Sequence, residues 1–182
     1  MNFCSQCGSP VTVRVPPGDN LPRHVCDACG TIHYQNPKVV VGALPVWNEQ
    51  VLLCRRAIEP RYGLWTLPAG FMENNETAAE GAVRETQEEA GARVELGPMF
   101  SFVDIPGISQ IHIIFQATLL APDFSPGEET LEAALFDESD VPWNEIAFRS
   151  VEFTLRKFFE DRRSGNYRLH TTALEIHPPL RT

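Results

Sequence analysis

The chain has 182 residues, 43% of them hydrophobic, and its 24 acidic against 15 basic residues give a formal net charge of -9. This length suits one domain of ordinary size plus a small module, and no apolar run approaches the ~18 residues of a membrane span. The acidic balance argues against a large non-specific DNA-binding surface, which neutralises phosphates with Lys and Arg, and the absence of a visible signal or transit segment predicts a cytoplasmic protein.

The first motif is a pair of Cys-x-x-Cys turns separated by eighteen residues, Cys4 with Cys7 and Cys26 with Cys29. Two such turns at this spacing are typical of a tetrahedral zinc site, although four cysteines can also form two disulfides. We expect zinc, in a structural role, because four thiolates leave no open position for a catalytic water. A ribbon of residues 1–35 is too short to bury a core, so metal binding has to supply its folding energy, on the order of 10 kcal/mol.

The rest of the chain, residues 36–182, begins at the Asn36-Pro37 turn and is predicted to form the larger domain. Two apolar runs, residues 39–44 and 50–54, are predicted strands joined by a turn at Asn48-Glu49. Arg55 and Arg56 end this second strand. Because neighbours on a strand point to opposite faces, one of them is expected to point toward the site and to bind a phosphate, and the alternative is a surface charge paired with Glu59.

Trp65 precedes the next motif. It is a candidate for stacking on an adenine ring, and burial in the core is the alternative.

Residues 70–92, with the sequence GFMENNETAAEGAVRETQEEAGA, carry the strongest functional pattern. Thr77 and Glu80 form a capping box that predicts a helix starting at Ala78, and Gly91 predicts its end. On that helix three glutamates at i, i+3 and i+4 gather on one side, and their mutual repulsion favours a bound divalent cation. They are Glu85, Glu88 and Glu89. A solvated acidic helix face is the alternative.

Arg84 lies one turn before Glu88 and can pair with it or with Glu80, which orients the carboxylates from outside the metal's ligand shell.

This segment resembles the Nudix box, G-x5-E-x7-R-E-U-x-E-E-x-G-U, in which U is a bulky aliphatic residue. The matching residues are Gly70, Glu76, Arg84, Glu85, Glu88, Glu89 and Gly91. Thr86 and Ala92 depart from the aliphatic pattern, which changes packing and removes no chemistry.

The resemblance implies a Nudix α/β/α sandwich with a mixed β-sheet that follows the zinc ribbon. It also implies hydrolysis of a nucleoside diphosphate derivative with Mg2+ or Mn2+. Glu85, Glu88 and Glu89 would be metal ligands, the backbone carbonyl of Ala69 a further ligand, and Glu76 a support for Arg84.

Further strands are predicted over residues 93–96 and 111–118, and a second helix over residues 150–163, so that a mixed sheet carries helices on its faces. Between them, Glu129 and Glu132 lie in a stretch bounded by Pro126 and Gly127, which we expect to be a mobile loop able to close over the metals. Either glutamate is a candidate general base, and Glu88 is the alternative.

The runs Phe3–Gly8, Tyr34–Lys38, Gly63–Gly70 and Asp104–Pro106 resemble a zinc-ribbon group of Nudix hydrolases that includes the plant plastid diphosphatase for FAD and ADP-ribose. Residues 99–106 do not match the S-Q-P-W-P-F-P-x-S array of NADH diphosphatases. The resemblance therefore implies ADP-ribose or FAD as substrate, with release of AMP, and a homodimer. Separately, the tail Thr172–Thr182 contains Pro178-Pro179 and is expected to be extended and to cross to a second subunit.

Two alternatives remain: hydrolysis of NADH or of NAD-capped RNA, and binding of ADP-ribose without cleavage.

Overall fold

The computed structural model describes residues 1–175, and its contacts divide the chain into two compact units, Met1–Pro37 and a second that begins at Lys38. The division into domains of residues 1–35 and 36–182 stays a prediction. Residues 176–182, and with them most of the tail expected to cross to a partner subunit, lie outside the described part of the chain.

The first unit contains a small antiparallel sheet in the order β1-β2-β3, formed by Val11–Arg14, Arg23–Cys26 and Ile32–His33. Its buried apolar residues are Cys4, Pro16, Val25 and Cys26. This is too little apolar surface to hold 37 residues together.

The second unit is built on one eight-stranded sheet, with two helices among the described residues. The strands are β4 Lys38–Trp47, β5 Gln50–Arg56, β6 Trp65–Thr66, β7 Ala69–Phe71, β8 Val94–Ile105, β9 Gln110–Leu119, β10 Thr130–Phe136 and β11 His170–Ala173. The helices are α1 Ala78–Ala90 and α2 Arg149–Ser164. The main path runs β10-β5-β4-β9-β8-β11, while β6 pairs with β5 and β7 with β4. The β4–β9 and β8–β11 pairs are parallel and the others antiparallel, so the sheet is mixed.

The helices cover opposite faces of this sheet, because side chains alternate along a strand. On β5, Val51 and Leu53 belong to the core cluster that contains the apolar side chains of α2. Leu52 and Cys54, on the other face, belong to the cluster that contains Ala90 at the end of α1. The predicted layering of helix, mixed sheet and helix is confirmed.

Helix α1 begins and ends where its sequence predicts. Thr77 Oγ1 accepts the N–H of Glu80, and the Glu80 carboxylate accepts the N–H of Thr77 at 2.8 Å, which completes the capping box. Gly91 follows in the left-handed conformation, with φ 59°. Both ends of the helix that carries the glutamates are therefore defined by residues of its own segment.

The predicted strands and second helix are present, with longer bounds. The strand predicted over residues 93–96 continues to Ile105, since β8 pairs with β9 along most of its length. The sequence predictions omitted β10 and β11. The segment of β10 was expected to be part of a loop, although Thr130–Phe136 pairs with β5.

Candidate functional site

One cleft of about 1130 Å³ opens in the second unit between α1, the ends of the central strands and the start of α2. Its acidic side carries Glu85, Glu88 and Glu89 of α1 together with Glu128 and Glu129, and its other side is largely apolar. The residues that line this other side include Val40, Phe71, Ile105, Ile108, Phe148 and Leu174. The cleft thus has carboxylates, which can attract a cation, on one side, and an apolar surface, which suits a ring system, on the other.

Two of the predicted metal ligands, Glu85 and Glu89, point into the unit and are each only 8% exposed, whereas Glu88 is exposed. Gly70 makes the position of Glu85 possible: a β-carbon there would overlap the Glu85 carboxylate. The strand β7 and the helix α1 therefore approach closely enough for the carboxylate to lie against the backbone.

Burial has an electrostatic consequence for Glu89. Loss of hydration raises its pKa to about 8, against the opposing effect of the hydrogen bond from Ala69 N–H to Oε2 at 3.1 Å. Burial likewise raises the pKa of Glu85, against the opposing effect of Arg84. Both carboxylates are thus unfavourable as anions unless positive charge is supplied nearby, and a divalent cation supplies it.

Arg84 connects the segment before α1 to these glutamates. Its guanidinium donates two hydrogen bonds to Glu76 at 2.9 and 3.0 Å, and one each to Glu85 at 2.8 Å, Glu88 at 2.9 Å and the Phe71 carbonyl at 3.2 Å. The bonds to Arg84 lower the pKa of Glu76 to about 2. Arg84 therefore orients carboxylates on both sides of it, and Glu76 anchors Arg84.

The donor set fits a hard divalent cation, since carboxylate oxygens with a nearby backbone are the ligands that Mg2+ and Mn2+ prefer. Glu85 and Glu89 are held in place by burial. Glu88 is exposed and bonded to Arg84, so ligation by all three requires rotation of its side chain toward the other two. The assignment of these three glutamates, and of the Ala69 carbonyl, as ligands stays a prediction.

The four cysteines fit zinc by distance. Their sulfur atoms all lie within 4.8 Å of one another, with Cys4 and Cys29 3.7 Å apart and Cys7 and Cys26 3.5 Å apart. A tetrahedron with Zn–S bonds of ~2.3 Å has edges of about 3.8 Å. The geometry matches the predicted structural site.

The acidic segment before β10 is attached to α1. Ser125 N–H donates to the Ala90 carbonyl at 2.8 Å and Gly127 N–H to the Glu89 carbonyl at 3.0 Å. Ala57 N–H donates to the Glu129 carbonyl at 2.8 Å. These bonds attach the segment to α1 on one side and to the residue after β5 on the other, whereas the sequence predicted a mobile loop.

The two base candidates of this segment have different surroundings. Glu129 lines the cleft beside the α1 glutamates, together with Glu128. Glu132 lies on β10, with its carboxylate 3.8 Å from Arg55, and does not line the cleft. The structure favours Glu129 over Glu132 as the base, and that role itself stays a prediction.

The adjacent arginines also differ. Arg55 donates from Nε to the Gly63 carbonyl at 2.8 Å and lies outside the cleft lining. Arg56 lines the cleft, donates from Nε to the Pro60 carbonyl at 2.9 Å and stacks on Phe148 at 5.1 Å from the ring centroid. Neither terminal nitrogen of Arg56 has a hydrogen-bond acceptor within residues 1–175. Of these two arginines, Arg56 is therefore the one available to a phosphate.

Trp65 lies in the core rather than in the cleft. It is 7% exposed and packs edge-to-face on Phe136, with ring centroids 4.9 Å apart. Of the two roles considered from the sequence, burial in the core is the one observed. Stacking of Trp65 on an adenine ring would require the core to open.

The sequence predictions missed polar residues on the apolar side of the cleft. Gln110 and His112 point from β9 and Ser150 from α2, and all three line the cleft. Both ring nitrogens of His112 have hydrogen-bond partners, Ser150 and Gln110. Polar residues two positions apart in an apolar strand share one face, and this signal could have identified Gln110 and His112 as a pair.

Comparison with known proteins adds family evidence. A family model described as Nudix N-terminal matches residues 2–35, and one described as NUDIX domain matches residues 36–160. Among solved structures, the chain is similar to a NUDIX hydrolase from Nitrosomonas europaea, with 53% identity and a TM-score of 0.94, covering 97% of this chain and 100% of that one. An ADP-ribose pyrophosphatase from Streptococcus suis, 23% identical with a TM-score of 0.61 over 75% of this chain and 100% of that one, shows the same fold.

The curated relatives include proteins with different names. An ADP-ribose pyrophosphatase of Methanocaldococcus jannaschii is 29% identical over 60% of this chain and 67% of its own length. A NAD-capped RNA hydrolase NudC of Chromobacterium violaceum is 33% identical over 77% of this chain and 51% of its own length. The chain thus spans about half to two thirds of the length of these relatives.

Proposed function

Because this chain belongs to the Nudix hydrolase family, we propose that it hydrolyses the diphosphate bond of a nucleoside diphosphate derivative. ADP-ribose and FAD are the proposed substrates. One observation carries the proposal: the acidic face of α1 and the arginine Arg56 line the same cleft. Such a site offers a diphosphate both cation-mediated and direct contacts, which is what phosphoryl chemistry requires.

The proposed roles follow from the contacts. A divalent cation, Mg2+ or Mn2+, supplies positive charge to the diphosphate oxygens when bound by Glu85, Glu88 and Glu89. Arg56 binds a phosphate through its two terminal nitrogens, because Phe148 and the Pro60 carbonyl already hold the rest of its guanidinium. Arg84 keeps the carboxylates oriented.

Glu129 is the proposed general base. It removes a proton from the water whose oxygen attacks phosphorus, while the bond from phosphorus to the bridging oxygen breaks. The products from ADP-ribose are AMP and ribose 5-phosphate, and those from FAD are AMP and FMN. The backbone bonds that hold residues 125–129 to α1 and to the end of β5 fix the distance between this base and the cation site.

A second candidate is hydrolysis of NADH or of the NAD cap of RNA. The curated relatives named NAD-capped RNA hydrolase support it, since their similarity extends over most of this chain. The same cleft and the same residues would serve, because the scissile diphosphate is chemically the same. Binding of ADP-ribose without cleavage is disfavoured by the complete set of box glutamates.

The test is product analysis with ADP-ribose, FAD, NADH and NAD-capped RNA offered separately in Mg2+ and in Mn2+. We expect AMP from ADP-ribose or FAD at a higher kcat/KM than AMP from NADH or NMN from the capped RNA, whose adenosine 5′-phosphate stays attached to the RNA. Glu89→Gln should lower kcat/KM at least about 100-fold by weakening cation binding. Glu95→Gln, a change of an exposed glutamate on β8, is the matched control and should leave turnover unchanged.

The outcomes separate the candidates. Preferred turnover of NADH or capped RNA would select the second candidate. Tight binding of ADP-ribose with no hydrolysis product from any of the four substrates would contradict hydrolysis altogether.

One property remains a prediction beside the reaction. A homodimer is expected from related enzymes, and the molar mass in solution tests it. Among residues 1–175 no helix is long and apolar enough to cross a membrane.

A further inference from the structure

We propose that Gln110 recognises the adenine ring of the substrate, and that His112 and Ser150 position its carboxamide for that purpose. The proposal rests on the proposed function, since it assigns the nucleoside part of that substrate to the apolar side of the cleft. It is carried by a chain of three hydrogen-bonded side chains that line this side.

The distances define the chain. His112 Nδ1 lies 2.9 Å from Ser150 Oγ, and His112 Nε2 lies 3.0 Å from Gln110 Oε1. Ser150 is only 2% exposed, in the first turn of α2. Gln110 and His112 are two residues apart on β9 and so share one face of the sheet.

The protonation of the imidazole sets the direction of these bonds. Burial lowers the pKa of His112 to about 4, so the ring is neutral near neutral pH and has one N–H. Its Nε2 faces an amide oxygen, which can only accept, so Nε2 donates. Its Nδ1 must then accept, and the Ser150 hydroxyl donates to it. Each of the three groups has one consistent role.

With this tautomer, His112 stabilises the orientation in which the structure places the Gln110 amide. With one lone pair of Oε1 used by His112, the amide nitrogen points away from His112 and has no acceptor among residues 1–175. The second lone pair of Oε1 is also available. Gln110 therefore presents an acceptor next to a donor, the pattern that pairs with the amino group and an adjacent ring nitrogen of adenine.

The neighbours of Gln110 suit a flat ring. Ile105 lies opposite Gln110 in the β8–β9 pair, and Ile108, which is 48% exposed, lines the cleft beside it. An exposed isoleucine next to an oriented amide offers an apolar surface to the ring face and hydrogen bonds to its edge.

The distance along the sheet is also suitable. Gly42 on β4 pairs with Ala69, the residue that binds Glu89, whereas Lys38 pairs with Gln110. Four strand residues separate these two positions, which is roughly 13 Å at the usual rise per residue. A nucleoside monophosphate has a comparable length, so its phosphate can reach the cation site while its base reaches Gln110.

Binding of AMP and of IMP, measured by calorimetry on the full chain with Mg2+, tests the proposal without relying on turnover. Hypoxanthine exchanges the donor and acceptor of adenine on this edge, so an amide held in one orientation pairs with adenine only. We expect wild-type protein to bind AMP roughly ten-fold more tightly than IMP, and Gln110→Met, which keeps the length and removes the amide, to bind both within about two-fold.

Ser150→Ala tests the positioning role. Without the Ser150 donor, His112 can change its tautomer and the Gln110 amide can rotate, so the preference for AMP should fall although Gln110 is still present. Ser101→Ala removes another fully buried hydroxyl, which bonds Thr154 outside the cleft, and should leave the preference unchanged. Melting temperatures of all variants show that the fold is retained.

Equal affinity of wild-type protein for AMP and IMP, or a preference that survives Gln110→Met, would overturn adenine recognition by Gln110. An unchanged preference in Ser150→Ala would overturn the positioning role. Hydrolysis of ADP-ribose by the same preparations separates adenine recognition from the proposed function. If ADP-ribose is hydrolysed but AMP and IMP bind equally well, only adenine recognition by Gln110 is contradicted. If AMP binds more tightly than IMP but ADP-ribose is not hydrolysed, only the proposed function is contradicted.

Discussion

Adjacent residues of the same type have different environments in this protein. Arg55 and Arg56 differ by one position on β5, and the alternation of a strand sends one toward Gly63 and Glu132 and the other into the cleft. The sequence predicted that one of the two would face the site and left open which one. The register of β5 against its neighbours decides it.

This difference predicts an asymmetric effect of substitution. Arg56→Ala should lower kcat/KM for the proposed substrate by about 10- to 100-fold, because a charge-assisted hydrogen bond to phosphate is lost. Arg55→Ala, the matched control, should change kcat/KM by less than about three-fold. Steady-state kinetics of both variants checks this, and a larger loss in Arg55→Ala would contradict the assignment of Arg56.

A second residue pair predicts a pH-dependent stability. Asp161, near the end of α2, accepts hydrogen bonds from His170 Nε2 at 2.7 Å and from Arg168 N–H at 3.1 Å. Burial alone would raise the pKa of Asp161, but these bonds outweigh it and lower the pKa below 3.8. Its stabilisation is therefore present above about pH 3.8 and is lost as the pH falls through the lower folded-state pKa.

Asp161→Asn should lower the free energy of unfolding by roughly 1–3 kcal/mol near neutral pH, with kcat unchanged. Urea unfolding of both proteins between about pH 6 and about pH 3 measures it. The difference between them should shrink at the acidic end, and a difference that stays constant would show that the carboxylate charge is not its cause.

At the scale of elements, α1 is held at both ends by different means. Its start is capped by its own residues, Thr77 and Glu80, and so is visible in the sequence. Its last carbonyls accept N–H groups from Ser125 and Gly127, which are distant in sequence. The segment that carries Glu129 is thereby attached to the same helix as the glutamates predicted to bind the metal.

Gly127 makes this attachment possible, because a β-carbon at this position would overlap the Glu88 carbonyl oxygen. Gly127→Ala should displace the segment, lower kcat by an order of magnitude or more and cost about 1–3 kcal/mol of stability. Gly97→Ala is the matched control, since its β-carbon would lie 3.3 Å from the nearest atom. Kinetics and melting curves of both variants test it, and unchanged kcat in Gly127→Ala would show that the position of Glu129 does not matter.

At the scale of the whole molecule, the two units obtain their stability differently. The second unit buries apolar side chains on both faces of an eight-stranded sheet. The first buries few, and its four cysteine sulfurs converge at distances suited to zinc.

Zinc removal should therefore unfold residues 1–37. We expect one zinc ion per chain by elemental analysis, and loss of the dispersed amide signals of residues 1–37 in an NMR spectrum after treatment with a strong chelator. Cys26→Ser should reproduce the effect without chelator. Retention of those signals in metal-free protein would contradict a structural zinc site.

The sequence by itself determined the features that depend on neighbouring residues. These features are the capping box and the glutamate spacing of α1, and the two Cys-x-x-Cys turns. Each lies within a short segment, so local backbone geometry alone determines its conformation. The mixed sheet with helices on its faces followed from the periodicity of apolar residues.

Only the tertiary structure decided the features that depend on pairing between distant segments. These are the cleft position of Arg56, the core position of Trp65, the attachment of residues 125–129 to α1 and the meeting of Gln110, His112 and Ser150. Strand register and helix docking bring these residues together, and both arise from contacts across the sheet that no local pattern encodes.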